Sequence, residues 1–156
     1  MSKVYRDIFS KDRIISEGFY LTEISDGLIY QVRGKRVRNP DSPDDNLFVI
    51  DLVNRFELVP AVMSKDEFKA WTKSFGRKLL VYLTEKNPDR VEGFKRSYQD
   101  FLKTIISKYD DFEFYTGSST NRDGSIVMSF YEDESIPAPI FWYFKDALEI
   151  VPEEEL

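Results

Sequence analysis

The stretch from Phe112 to Ile150 reads FEFYTGSSTNRDGSIVMSFYEDESIPAPIFWYFKDALEI, and it decides the fold class. An aromatic segment at 112–116 is followed by a loop. Asp123-Gly124 then opens a second segment, Ser125–Tyr131, in which positions 126, 128 and 130 form one series and positions 127, 129 and 131 form the other. This alternation predicts a half-buried strand. Ile140–Phe144 is apolar at every position, so we expect a strand that is covered on both faces. The C-terminal third therefore predicts consecutive β-strands.

The first sixty residues also carry β patterns. Val4–Ile8 is a short candidate strand, and Phe19–Ile24 alternates up to Asp26-Gly27, a pair typical of a hairpin turn. The turn leads into Leu28–Val32, which completes the predicted hairpin. Leu47–Leu58 resumes the pattern with frequent β-branched residues, and we predict a further strand there.

The middle third changes to a helical period. Ser64 and Glu67 have the spacing of a capping box, and the apolar residues that follow recur every three or four positions. This pattern predicts a helix from about Lys65 to Lys86. Asn87-Pro88 is typical of a new helix start, with Asn87 as the N-cap, and a second amphipathic segment follows it. So short a connection predicts an antiparallel helical hairpin.

The order of these elements predicts an α+β fold. We expect strands on both sides of the helical hairpin of residues 64–109, which is inserted between them. Residues 1–156 suit a single domain. Gly34, Asn39-Pro40 and Ser42-Pro43 indicate that residues 34–46 form a loop.

Composition excludes several kinds of site. The chain has no cysteine and no histidine, which excludes disulfides, thiolate metal sites and every nucleophile that relies on a histidine base. No catalytic residue is predicted, and we expect no enzyme activity. The aromatic residues lie at core-facing periods, so no stacking surface for nucleic acid is expected. No apolar run has the length of a membrane span or resembles a signal peptide, and we expect a cytoplasmic protein.

Charge is distributed unevenly along the chain. Ser64–Tyr109 holds 11 Lys/Arg against 6 Asp/Glu, a local charge of +5, while the whole chain carries −6, so the rest carries −11. The predicted helical face can therefore attract an acidic partner; the alternative is that its cations only keep the helices soluble. Eight cations are the candidate partner-binding residues: Lys65, Lys69, Lys73, Lys86, Arg90, Lys95, Arg96 and Lys103.

Carboxylates that follow the predicted hairpin are candidate calcium ligands. Asp110, Asp111 and Glu113 lie close together in the sequence, and Ca²⁺ takes six to eight oxygen ligands from nearby turns. Their spacing does not match an EF-hand loop. The alternative is an acidic surface that binds any divalent cation loosely.

Several short motifs, in their order, resemble the translationally controlled tumour protein family. They are Tyr5-Arg6-Asp7-Ile8, Asp26-Gly27, Asn87-Pro88-Asp89-Arg90-Val91 at the predicted hairpin corner, and Phe114–Gly117. The similarity runs from Tyr5 to Ile150. The resemblance implies a small, twisted, mostly antiparallel, tent-like β-core with a projecting helical hairpin.

The resemblance also implies a function. It indicates a cytosolic, monomeric interaction protein that needs no cofactor, binds calcium weakly, associates with tubulin or microtubules and is linked to growth regulation. In the family the hairpin region serves tubulin and other acidic partners, and Glu113 aligns with a calcium ligand. One alternative is a regulator of a Ras- or Rab-type small GTPase, with Tyr5, Arg6, Asp12 and Arg13 as the contact residues. Another is a chaperone-like stabiliser of client proteins.

Three features of the sequence depart from the family pattern. The loop at 34–46 is shorter than usual and lacks the family's first signature, and Ser118 follows Gly117 where the family has a glutamate. Arg13 follows Asp12 where the family presents a second acid. Because a charge reversal at the centre of an interface is costly, we expect weak contact with a GTPase.

Overall fold

A computed structural model describes the fold of residues 3–152. The strands are β1 Val4–Asp7, β2 Arg13–Ser16, β3 Thr22–Ile24, β4 Ile29–Arg33, β5 Arg36–Arg38, β6 Phe48–Ile50, β7 Val59–Pro60, β8 Glu113–Thr116, β9 Val127–Phe130, β10 Ile140–Phe144 and β11 Leu148–Ile150. The α-helices are α1 Asp51–Arg55, α2 Lys65–Lys86 and α3 Val91–Ser107. Short 3₁₀ turns lie at Pro88–Arg90, Tyr109–Asp111 and Lys145–Ala147. The predicted α+β class is confirmed.

The main sheet has six strands in the order β3-β4-β10-β9-β8-β7, with antiparallel pairing throughout. The central strand β10 pairs with β4 and β9, so that Trp142 lies opposite Gln31 on one side and Met128 on the other. Phe141 packs in one apolar cluster and Phe144 in another, which shows that both faces of this strand are covered. The all-apolar sequence of β10 predicted this position.

The predicted hairpin at Asp26-Gly27 is present. β3 and β4 pair with Ile24 opposite Ile29, and Gly27 has a φ of +80° in the connecting turn. The strand before the turn is shorter than predicted. Two smaller sheets complete the β-core: β11-β1-β2 and the two-stranded β5-β6.

Residues 34–46 are only partly a loop. Arg36–Arg38 forms β5 and pairs with β6, with Val37 opposite Val49. The pairing is antiparallel, and the 39–47 connection closes it through a bond from the Asn39 N–H to the Leu47 carbonyl at 2.8 Å. Turn residues mark the connection between the two strands, whereas the residues that pair with β5 lie ten to fourteen positions further along the chain.

The predicted strand at Leu47–Leu58 is wrong beyond Ile50. The chain turns there into α1, where Asp51 Oδ1 accepts hydrogen bonds from the N–H groups of Leu52 and Lys35 at 2.8 and 2.9 Å. Leu52 and Phe56 are both buried in one cluster. Residues four apart share a face of a helix, so the helical turn directs both side chains into the core.

The first helix of the hairpin, α2, has the bounds that the sequence predicts. Ser64 Oγ accepts from the Glu67 N–H at 3.1 Å, and Glu67 Oε1 accepts from the Ser64 N–H at 2.9 Å, so the capping box is formed. Asn87 does not cap the second helix with its side chain; instead its N–H donates to the Leu83 carbonyl and ends α2. The turn at Pro88–Arg90 then leads into α3.

One face of the hairpin packs on the main sheet through aromatic residues. Trp71 stacks on Phe75 with ring centroids 4.6 Å apart, and Phe75 contacts Phe144 of β10 at 5.4 Å. Trp71 Nε1 also donates to the carbonyl of Gly124, between β8 and β9, at 3.2 Å. This face is fixed against the sheet, and the seam between α2 and α3 is left on the outside.

Candidate functional site

A groove of about 550 Å³ follows the seam between α2 and α3. Its α2 side is formed by Lys69, Thr72, Lys73, Gly76, Arg77 and Leu80. Its α3 side is formed by Phe94, Lys95, Tyr98, Gln99, Leu102, Lys103 and Ile106. No carboxylate belongs to either set, so among the described residues this is a concave surface with cations at its rim and an apolar floor.

The floor depends on a close approach of Gly76 to Tyr98. A Cβ on Gly76 would lie 2.7 Å from Tyr98 Cε2, so any larger residue would push the ring away. The Tyr98 hydroxyl donates to the Thr72 carbonyl at 2.8 Å, and burial raises the pKa of this phenol, which stays neutral. This contact brings the two helices close together and gives the groove its shape.

The cations at the rim are exposed and mostly without ion partners. Within residues 3–152, the one carboxylate oxygen found within 4.0 Å of a rim cation's nitrogen belongs to Glu92, whose Oε1 lies 3.9 Å from Lys95 Nζ across one turn of α3. Lys69, Lys73 and Arg77 follow one another at four-residue spacing along α2. Their charges are therefore available to a ligand that enters the groove.

The structure divides seven of the eight predicted basic residues into two groups, and Arg90 belongs to neither. Four of them line the groove: Lys69, Lys73, Lys95 and Lys103. Three are exposed on the hairpin but away from it: Lys65, Lys86 and Arg96. The sequence analysis missed Arg77, although its spacing of four from Lys73 is the signal that would have identified it.

Arg90 does not belong to an exposed basic face, and its prediction as an exposed cation is wrong. Its Nε lies 3.0 Å from Asp146 Oδ1, and its Nη1 donates to the Asp26 carbonyl at 3.1 Å. The exposed fraction of the side chain is 20% for Arg90 and 8% for Asp146. Arg90 therefore holds the corner of the hairpin against the β-core.

The four residues predicted to contact a GTPase lie together on β1, β2 and the turn between them. Tyr5 donates to Glu17 Oε1 at 3.0 Å, and burial, reinforced by that bond, raises the pKa of Tyr5 to about 12. Arg6 Nε pairs with Glu149 of β11 at 2.8 Å. Arg13 is exposed at the start of β2. These side chains are engaged mainly within the β-core.

Asp12 is tied to the loop between β8 and β9. Ser119 donates to Asp12 Oδ2 from its hydroxyl at 2.6 Å and from its N–H at 3.4 Å. Any Cβ on Gly117 would collide with the Asp12 side chain, which explains the glycine at that position. The acid expected at the GTPase contact is therefore occupied by a bond within the chain.

The carboxylates predicted to bind calcium do not converge. Asp110 and Asp111 lie in an exposed 3₁₀ turn, whereas Glu113 begins β8 and accepts a hydrogen bond from the Tyr115 hydroxyl at 3.4 Å. Across residues 3–152, no group of three or more potential metal-ligating side chains is close enough to hold an ion. The candidate calcium residues therefore form an acidic surface without a preformed cage of oxygens.

Comparison with known proteins assigns the family. Residues 41–149, more than half of the chain, match the family model described as translationally controlled tumour protein, or TCTP. The chain belongs to the TCTP family. It is 33% identical to TCTP homolog 1 of Dictyostelium discoideum, with 96% of this chain and 98% of the relative covered. It is 36% identical to the TCTP homolog of Plasmodium chabaudi chabaudi, with 94% and 96% covered.

Solved TCTP structures have the same fold. The protein p23fyp of Schizosaccharomyces pombe superposes with a TM-score of 0.83 at 25% identity, over 96% of this chain and 99% of that one. The TCTP of Caenorhabditis elegans gives a TM-score of 0.72 at 23% identity, over 96% and 98%, and shows the shared fold alone. In the part of this TCTP chain that the structure describes, no helix is both long and apolar enough to cross a membrane.

Proposed function

We propose that this TCTP-family chain is a protein-interaction module that binds an acidic protein surface in the groove between α2 and α3. The observation that carries the proposal is the composition of the groove, where five exposed cations and no carboxylate surround an apolar floor. The proposal assigns no catalytic activity to the chain.

The charge distribution supports binding at this face and not elsewhere. The hairpin region carries +5, whereas the remainder of the chain carries −11. A negatively charged partner is attracted towards the hairpin and repelled by the rest of the surface, so it arrives in one orientation. The groove lies on the outer seam, where such a partner meets no competing carboxylate among the residues that line it.

Tubulin or a microtubule is the acidic partner that we propose first. Of the finer properties expected for the family, which also include calcium binding and a link to growth regulation, tubulin binding is the one for which the groove offers a suitable surface. Small-GTPase regulation has less support, because Asp12 is bound to Ser119.

Sedimentation with polymerised tubulin at two ionic strengths tests the proposal. Attraction between exposed charges is screened over about 10 Å at 0.1 M salt and over about 3 Å at 1 M. We therefore expect co-sedimentation at low salt that falls steeply as salt is added, and that a soluble poly-glutamate competes away. Co-sedimentation that is equal at low and high salt, or that resists poly-glutamate, would contradict an electrostatic groove.

A further inference from the structure

The floor of the groove is apolar, which a purely electrostatic binding site does not need. Leu80 and Ile106 are only partly buried and keep exposed apolar surface in the groove, whereas Phe94, Tyr98 and Leu102, which also line it, are buried. We infer that the segment seated in the groove is an amphipathic α-helix of the partner, with acidic residues on both sides of an apolar stripe. This inference rests on the proposed function and specifies the partner's chemistry.

The length of the groove fits a short helix. Lys69 to Leu80 spans eleven steps along α2, and Phe94 to Ile106 spans twelve along α3. At about 1.5 Å per residue, each wall is about 17 Å long, which corresponds to roughly three turns of a third helix. A groove between two packed helices accepts the side-chain ridge of another helix by the ordinary rules of helix packing.

The chemistry of the walls favours a helix over an extended segment. Both walls are interiors of α-helices, whose backbone N–H and C=O groups are already paired within the helix. An extended segment would bring its own N–H and C=O groups against these walls and leave them without partners. A helix satisfies its backbone internally and presents only side chains to the apolar floor.

The position of the cations specifies the charge pattern of the occupant. Lys69, Lys73 and Arg77 stand on the α2 wall, and Lys95 and Lys103 stand on the α3 wall. A helix lying between them meets positive charge on both flanks and apolar surface beneath. The matching pattern has apolar residues at spacings of three and four, with Glu or Asp on either side of that stripe.

Binding of three synthetic probes tests the inference on the intact chain. The first is a fourteen-residue peptide with leucines at helical spacing and glutamates on both flanks; the second is the same composition in scrambled order; the third is poly-glutamate of equal charge. By fluorescence anisotropy, we expect the patterned peptide to bind at least about tenfold more tightly than the scrambled one. Circular dichroism should show helix formation in the patterned peptide on binding.

Variants of the floor separate this inference from the proposed function. Leu80→Gln with Ile106→Gln removes apolar floor without changing charge, and Val81→Gln is the matched control, since Val81 adjoins Leu80 but is 66% exposed and does not line the groove. We expect the floor variant to lose about tenfold affinity for the patterned peptide and none for poly-glutamate, and the control to lose neither. Thermal unfolding of each variant checks that the hairpin remains folded.

The outcomes distinguish the two proposals. If the scrambled peptide and poly-glutamate bind as tightly as the patterned peptide, the groove recognises charge alone. The inference of a helical occupant is then overturned, while the proposal of an acidic partner is retained. If the patterned peptide binds equally well to the floor variant and to wild type, the floor is not the contact surface and the inference is overturned. If none of the probes binds, both proposals fail.

Discussion

Arg90 Nε lies 3.0 and 3.1 Å from the two carboxylate oxygens of Asp146, across 56 positions of the chain. This ion pair joins the corner of the helical hairpin to the 3₁₀ turn after β10. Burial raises the pKa of the Asp146 carboxyl, and the hydrogen bond and charge of Arg90 offset only part of that effect. The pair therefore contributes more to the position of the hairpin on the β-core than to net stability.

Breaking one half of this pair should destabilise the fold. Arg90→Met removes the guanidinium and leaves the Asp146 carboxyl, whose side chain is 8% exposed, buried without its counter-charge. We expect a loss of about 2 kcal/mol in the free energy of unfolding, measured by urea denaturation. The double variant Arg90→Met with Asp146→Asn should lose less than the sum of the single variants, since neither charge is then stranded.

The surface pair between Lys145 and Glu23 is the control for this measurement. Its side chains are 35% and 51% exposed. Glu23→Gln should change the free energy of unfolding by no more than about 0.5 kcal/mol. Equal losses for Arg90→Met and Glu23→Gln would show that the Arg90 pair has no special structural role.

Gly76→Ala should destabilise the hairpin in spite of the better helix propensity of alanine. The new methyl group would lie 2.7 Å from the Tyr98 ring, which is held by its bond to Thr72. Overpacking costs typically 1–3 kcal/mol, against a propensity gain of about 1 kcal/mol, so we expect a net loss of about 1 kcal/mol in thermal or urea unfolding. Ser74→Ala is the control, because Ser74 is exposed on the same helix and its substitution changes helix propensity without overpacking.

Glu149 should make a pH-dependent contribution to stability. Burial on its own would raise its pKa, but hydrogen bonds from Lys11 and Arg6 outweigh burial and hold the pKa below its ordinary value. A lowered pKa means that the stabilising contribution of Glu149 is fully present above the pKa of the unfolded chain, about 4.3. It is lost as the pH falls through the lower pKa of the folded protein. The advantage of wild type over Glu149→Gln in urea should therefore exist at pH 7 and vanish near pH 3. An advantage that is unchanged at pH 3 would contradict this.

Calcium binding should be weak and should leave the structure unchanged. Asp110, Asp111 and Glu113 point from a turn and a strand without forming an oxygen cage. A calcium titration followed by backbone chemical shifts should show small changes spread over these residues. The shift changes should not saturate at calcium concentrations below the roughly millimolar range of open surface sites. A saturable micromolar site, here or elsewhere on the chain, would overturn this assignment.

Local patterns in the sequence predicted the parts of the fold that local forces determine. The capping box of Ser64 and Glu67 and the helical period that follows it define α2, and the apolar run Ile140–Phe144 defines the central strand. Short segments were ambiguous. Ile50, Leu52 and Phe56 suit either a strand or a turn of helix, and only their tertiary packing decides between the two.

Features that join distant residues were beyond the reach of the sequence. Arg90 has the same local surroundings as the exposed lysines of the hairpin, and its partner Asp146 is far along the chain. The groove likewise depends on the contact of Gly76 with Tyr98 on the next helix. The sequence predicted a basic hairpin, but not which of its cations share one cavity.

Co-sedimentation of two matched charge-reversal variants with polymerised tubulin at low salt tests the basic groove most directly. One variant carries Lys69→Glu, Lys73→Glu and Lys95→Glu, which lie at the rim of the groove; the other carries Lys65→Glu, Lys86→Glu and Arg96→Glu, which lie on the hairpin outside it. Both sets change the net charge equally, and all six residues are exposed, so both proteins should remain folded. We predict that the first variant loses binding and the second retains most of it. Equal losses in the two variants, or binding by both, would contradict a binding site in the groove.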